Sequence, residues 1–388
     1  MTKVWLVLIT VVIGILQFLD TGLYTYLAYN LNVDSVYLGF LSACWSLTYI
    51  LTNYVMGGLA DEGHNKLLTL ISCITAISVA TLLNNLNEVN GLIAYSLHAL
   101  TLAVINLAAS VTILEIYDHF NWNTINSSVR VLSNLIMGVL FLVAAFGTVS
   151  VSLICYVTAL IALSLMILLP GVGINLERSL YRINKELSSI SRYIKASTAV
   201  LYLHRPREAY EFFERVWGSE TISSKRILLA TSLYVMFSDL ISVLVPLIMK
   251  PSIGLHGIYL SWGVAFLIAT ILMVFILPTA SCSAKLTALL VFSRALILLA
   301  LLPLINNTYS LMAYLISLVV LGTLINASLY NIYVDASSGY GTSRYFISRE
   351  LGSILGSIMG GFIFMYMPSL LPIVVLVLAF TSTLLLFA

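Results

Sequence analysis

The chain has 388 residues, 60% of them apolar and only 9% charged, and a formal net charge of +2. With a mean hydropathy of +1.04, that composition excludes a pair of soluble domains and belongs to a polytopic membrane protein. Basic residues are too few outside one loop for a nucleic-acid binder, and the scattered Cys44, Cys73, Cys155 and Cys282 show no spacing for disulfides or structural zinc.

Apolar runs of about 20 residues, enough to cross a bilayer, predict an all-α protein with spans near 4–30, 36–60, 67–86, 91–117, 128–149 and 150–170. Six more follow near 225–249, 256–278, 284–304, 309–334, 345–367 and 369–388. The first run follows Lys3 and lacks a small-residue cleavage site, so it reads as a retained helix. Asp20 lies inside it, with Gln17 and Tyr24 at i−3 and i+4 on the same helical face. An acid at that depth costs roughly 2.5–3.5 kcal/mol on insertion scales, so it is expected to face protein or water. Asp239 takes the matching place in the seventh run, where Met236 and Val243 replace the polar neighbours.

Lys3, Lys66, Lys285, Arg344 and the basic residues of the middle loop share one side, which predicts that both termini are cytoplasmic. The domains expected are 1–170 and 225–388, joined by a cytoplasmic linker over 171–224. In that linker Leu176, Leu180, Ile183, Leu187, Ile190 and Ile194 keep helical spacing, and a second helix begins at Pro206. The first helix either lies on the inner leaflet or packs under the bundle as a solvated linker.

The two halves repeat. Phe18 and Asp20 recur as Phe237 and Asp239, and Ser35–Leu38 as Gly257–Leu260. Ile116-Tyr117 recurs as Ile332-Tyr333, and Arg130 with Gly138 as Arg344 with Gly352, all in order and at nearly constant separation. Both halves start on the same side, so the repeat is parallel, about an axis along the membrane normal.

Six plus six spans, a polar central loop and parallel repeats together resemble the major facilitator superfamily. Its marker between spans two and three is matched by Gly57 and Asp61 within Gly57–Lys66; Glu62 replaces a basic residue and Gly63 falls one place early. Asp335, Arg344, Gly352, Gly356, Gly360 and Gly361 fit the family's end of span ten and its glycine-rich span eleven. The proline-containing motif of many drug antiporters is absent from span five. The resemblance implies twelve transmembrane helices as two six-helix bundles related by a pseudo-two-fold axis, with spans one, four, seven and ten lining a central cavity.

On those four spans stand Gln17, Asp20, Tyr24, His98, Asn106, Asp239 and Asn326, the candidate substrate and proton site. An acid left without a cationic partner there is disposed to pick up and release a proton during transport; the plainer reading is an acid tied structurally to a neighbouring helix. His98 is either a proton relay or a satisfied core residue. Arg294, in span nine, either meets an anionic substrate, pairs with an acid or snorkels. Asp61, Glu115, Arg130, Asp335, Arg344 and Arg349, with Asp118 and Glu350, lie at cytoplasmic span ends and are expected to form an inner gate. Tyr24, Tyr26, Tyr29, Trp45, Tyr49 and Tyr54 are candidates for an aromatic cavity, while Tyr29 and Tyr259 also suit an interface belt.

The expected function is a secondary transporter in the plasma membrane, working as a monomer by alternating access on a small solute, with protons or another ion as coupling partner and lipids around it. It needs no cofactor and no metal, and no Walker motif is present. A transporter-like sensor or lipid scrambler is the alternative reading. A membrane enzyme is a more distant one, since no HExxH or GxSxG occurs.

Overall fold

A computed structural model describes residues 4–31, 33–117, 119–147, 150–171, 223–276, 283–304, 307–337 and 342–387, all helix or connecting turn. The first half holds α1 (Val4–Asn30), α2 (Ser35–Asp61), α3 (Asn65–Leu83), α4 (Glu88–Ile116), α5 (His119–Phe146) and α6 (Val151–Leu168). The second holds α7 (Ser224–Ser242), a short α8 (Val245–Met249), α9 (Leu255–Ile276), α10 (Ala284–Leu301), α11 (Thr308–Ser337), α12 (Thr342–Tyr366) and α13 (Leu371–Phe387). The amphipathic helices expected over 171–224 and Asp118 lie outside the described residues. "Near face" denotes the end where α1 begins and "far face" the end where it finishes.

Helix starts are sharp because polar side chains cap them. Asp34 accepts from Tyr37 N at 2.7 Å, Asn87 from Asn90 N at 2.8 Å and Ser150 from Leu153 N at 3.2 Å. At the other end of α2, Gly63 takes φ 82°, a conformation glycine alone adopts without strain, and turns the chain into α3.

Two boundaries depart from expectation. Helix α5 begins at His119 rather than near 128, because no proline or glycine interrupts the polar residues before the apolar run. The seventh span is not continuous: α7 stops at Ser242 and α8 resumes at Val245. Pro246 lacks the N–H that would bond the Ser242 carbonyl, so the ladder breaks there.

Among the described residues, eleven helical segments are long and apolar enough to cross a membrane. Helix α12, the twelfth crossing, falls outside that set because glycines, serines and the charged Arg344, Arg349 and Glu350 dilute it. Within the first half α1 packs on α4, α5 and α6, α2 on α4, and α3 on α4 and α6. The second half repeats every pair: α7 on α11, α12 and α13, α9 on α11, and α10 on α11 and α13. The weak internal sequence repeat is thus a repeat of packing.

Between halves the principal contacts are α2 with α12 and α5 with α9, which the same correspondence interchanges. Lipid supplies no hydrophobic drive for helix association, so small residues decide where backbones meet. A Cβ on Gly352, Gly356 or Gly360 would lie 2.3, 2.2 or 2.6 Å from the carbonyls of Ser232, Met236 or Leu240 of α7. One residue further on, Ser353, Ser357 and Gly361 face α2 instead. Ser46 Oγ donates to Ser353 Oγ at 3.0 Å, Ser42 and Ser357 share a 2.8 Å hydrogen bond, and Ser35 Oγ donates to Gly361 O at 2.8 Å. Helix α12 therefore packs on its own half with one small-residue stripe and on the other half with the next.

Candidate substrate and proton site

At a rise of about 1.5 Å per residue, Asp20 lies about 24 Å along α1 from the near face. Its carboxylate accepts from the Tyr95 hydroxyl of α4 at 3.3 Å. Asp239, at a similar height on α7, stands beside the hydroxyl of Ser353 on α12. The charged groups around Asp20 are Glu350, Asp239 and Arg349, so both aspartates face the same interior space. Arg349 donates to Glu350 Oε1 at 2.7 Å and lies over the Phe346 ring, 5.9 Å from its centroid. Two turns in from the near end of α12, the Arg349 side chain is still 33% accessible, so the interior space reaches it.

An aromatic string connects these groups. Tyr95 adjoins Tyr24 at 5.7 Å, His98 and Trp45 at 6.4 Å each, and Trp45 stacks on Tyr49 at 5.3 Å with planes 8° apart. Asn106 Nδ2 donates to the Tyr49 hydroxyl at 3.4 Å. His98, 1% exposed, leaves its buried Nε2 without a partner. Gln17 Oε1 and Trp45 Nε1 on the first half, and Asn326 Oδ1 on α11, are also buried and unpartnered. Tyr54, 85% exposed, lies outside this string.

Tyr24 does not open into the site. Its hydroxyl donates to the Val243 carbonyl at 3.2 Å, in the break between α7 and α8, and approaches Leu38 O at 3.4 Å. Tyr29 and Tyr259, suited by position to an interface belt, instead span the two halves. Tyr29 donates to Ile253 O at 2.7 Å, and the buried Tyr259 donates to Gly22 O at 3.1 Å. Lys250 Nζ reaches Ala28 O at 3.2 Å beside them. These bonds tie the two halves together above Asp20. A shallow recess of about 650 Å³ between Asn30–Leu31 and Asn87–Asn90 opens on the far surface and holds none of the site's acids.

Arg294 does not snorkel, and among the described residues it pairs with no carboxylate. It is 3% exposed and donates to the Tyr234 hydroxyl, to Ser238 Oγ at 3.1 Å and to Leu318 O at 3.4 Å. Gly322 makes room for it: a Cβ there would lie 3.1 Å from a guanidinium nitrogen. It approaches Asp239 from behind Ser238.

At the near face, Arg130 and Arg344 are exposed, and the side chains of Asp61, Glu115 and Asp335 lie outside the described part of the structure. Among the described residues the ion pairs are Arg349–Glu350 and His64–Glu62. Tyr95, the hydroxyl partner of Asp20, and Ser353, beside Asp239, escaped the sequence reading. Tyr95 stands one turn before His98, and Ser353 beside a glycine of the α12 stripe; neither spacing distinguishes them from packing residues.

The sequence model of the Major Facilitator Superfamily matches residues 6–357. The chain belongs to the major facilitator superfamily. It is similar in structure to a D-xylose–proton symporter, with 12% identity, 98% of this chain and 96% of that one covered, and a TM-score of 0.63. A peptide transporter in complex with sulfate gives 13%, 99%, 92% and 0.65, and a nucleoside transporter 15%, 99%, 96% and 0.61. At such identities the likeness shows the fold alone. No curated protein matches the chain. As a member of this family the protein is a multi-pass membrane transporter.

Proposed function

We propose that this protein is a secondary active transporter that carries a small solute by alternating access and couples it to protons through Asp20. One observation carries the reading: two half-buried carboxylates stand at matching heights in the two halves, Asp20 bonded by the neutral Tyr95 hydroxyl, and among the described residues neither is ion-paired. An unpaired charge in that position is costly, so the carboxyl is stable when it holds a proton or faces a cation, and either can be exchanged. The fold shared with a proton symporter supports the reading.

Alternating access then consists of residues 1–170 rocking against 225–388 on the small-residue contacts α2–α12 and α5–α9. In the arrangement described, the far face is shut by Tyr24, Tyr29, Lys250 and Tyr259. Asp61, Glu115, Arg130, Asp335 and Arg344 would shut the near face in the opposite state, with Arg349 behind them. The near face is the cytoplasmic one by its Lys and Arg, the membrane is the plasma membrane and the working unit is a monomer.

A thermal-shift screen of metabolites and organic ions at two pH values identifies the solute. In proteoliposomes, Asp20→Asn is then expected to abolish uptake driven by a pH gradient while sparing counterflow exchange. Unchanged gradient-driven uptake in Asp20→Asn would sink the proposal.

A further inference from the structure

The polar groups around Asp20 are unbalanced in charge, and several are short of hydrogen-bond partners. Three carboxylates, Asp20, Asp239 and Glu350, meet two guanidiniums. Arg349 is bound to Glu350, and Arg294 approaches Asp239 through Ser238. The remaining negative charge falls on Asp20, whose own half brings it only the Tyr95 hydroxyl. Several buried polar atoms nearby are unpartnered. Gln17 Oε1, one turn from Asp20, and Asn326 Oδ1 are acceptors, His98 Nε2 is unpartnered as well, and Trp45 Nε1 and Arg294 Nε are unpaired donors. Beside them the parallel Trp45–Tyr49 stack offers aromatic surface, and Tyr95 joins it to Asp20.

Resting on the transporter reading above, we infer that the solute is an organic ammonium with an apolar body. Its charged nitrogen sits on Asp20, its N–H donors face Gln17 and His98, and its body lies against Trp45 and Tyr49. Cations are attracted to such ring faces and to an uncompensated carboxylate alike. An anion would meet three carboxylates against two guanidiniums that are already engaged, and a neutral polyol would bring no charge to take the place of the Asp20 proton. The ammonium and a proton compete for one carboxylate: as the nitrogen binds, the Asp20 carboxyl releases its proton to bulk water, charge is conserved, and transport is an exchange of cation for proton. Among the described residues, Asp239, Glu350, Arg349, Tyr95, His98, Tyr49 and, behind α7, Arg294 and Tyr234 are the other charged and titratable groups around this centre, with Tyr24 beside Tyr95.

The test is calorimetric titration of the purified full-length protein in two buffers of different ionisation enthalpy. The probes are 2-phenylethylammonium, hexylammonium, 2-phenylethanol and 3-phenylpropionate. Expected are binding of at least one ammonium with release of about one proton, and at least tenfold weaker binding of the alcohol and the carboxylate. Asp20→Asn should lose both binding and proton release. Trp45→Leu should weaken binding about tenfold yet keep the same proton release per molecule bound, which a misfolded variant cannot do. Failure of both ammonium probes to bind, tighter binding of the alcohol or carboxylate, or binding without proton release overturns the inference. If a neutral or anionic solute is instead accumulated in an Asp20-dependent way, the substrate class falls and proton coupling stands. If the ammonium binds with proton release but Asp20→Asn still accumulates it on a pH gradient, the coupling falls.

Discussion

At the scale of single residues, Arg294 shows how a buried charge is held without an opposite one. Its guanidinium is surrounded by two hydroxyls and a carbonyl, and the missing side chain of Gly322 leaves the space it fills. Arg294→Lys is expected to lower thermal stability, because an ammonium cannot reach Tyr234, Ser238 and Leu318 with the same planar fork. Gly322→Ala should also destabilise, by crowding the guanidinium. In an Arg294→Leu background that second penalty should vanish, giving a coupling of about 1 kcal/mol in a double-mutant cycle of melting measurements. Tyr24 acts differently, since its hydroxyl binds the carbonyl exposed by the α7–α8 break. Losing one such bond is worth about 1 kcal/mol. Tyr24→Phe should therefore raise the alkylation rate of a cysteine placed at the buried Ile253 by about fivefold, as the far face opens more often.

At the scale of elements, α12 divides its small residues between two partners, and substitutions should separate their roles. Gly356→Ala places a Cβ 2.2 Å from the Met236 carbonyl, a backbone atom that cannot swing away. Overpacking of that kind costs about 1–3 kcal/mol or more, so the variant is expected to lose folded protein in size-exclusion chromatography. Gly39→Ala meets the Ser357 carbonyl at 2.6 Å, but across the two halves. It should leave most of the protein folded while slowing uptake, because it pushes apart the α2–α12 contact. Gly57→Ala meets nothing within 4 Å and serves as the neutral control. The four-residue glycine spacing announced close helix packing; it did not say with which helix. Gly138 and Gly352, equivalent in the repeat, illustrate this: Gly138 packs on Leu267 of the opposite half and Gly352 on Ser232 of its own.

At the scale of the whole molecule, alternating access requires the α2–α12 contact to change. Ser42 and Ser357 hydroxyls stand 2.8 Å apart across it. With the native cysteines replaced, Ser42→Cys with Ser357→Cys is expected to form a disulfide under mild oxidation, to block uptake, and to regain it on reduction. Full uptake by the oxidised pair would mean that the halves do not move at this contact. Cysteines at Arg130 and Arg344 on the near face should cross-link to different extents with and without solute, for the same reason.

Much of this architecture was legible in the chain. A bilayer permits only segments that satisfy their own backbone and expose apolar side chains, so length and hydropathy place the spans almost alone. Helix α1 runs over 4–30 as its apolar run predicts. The in-order matches between halves likewise announced a repeat that the packing displays. Partners are another matter, because lipid is as apolar as leucine and the sequence pattern does not say which face meets which helix. Only the tertiary structure decided that Tyr95 bonds Asp20, that Ser353 stands beside Asp239 and that Arg294 is held by hydroxyls. It also turned Tyr24, Tyr29 and Tyr259 from candidate site and belt residues into bonds across the far face. Those roles depend on backbones brought within hydrogen-bond reach from distant parts of the chain, by glycines whose effect appears only once the helices meet.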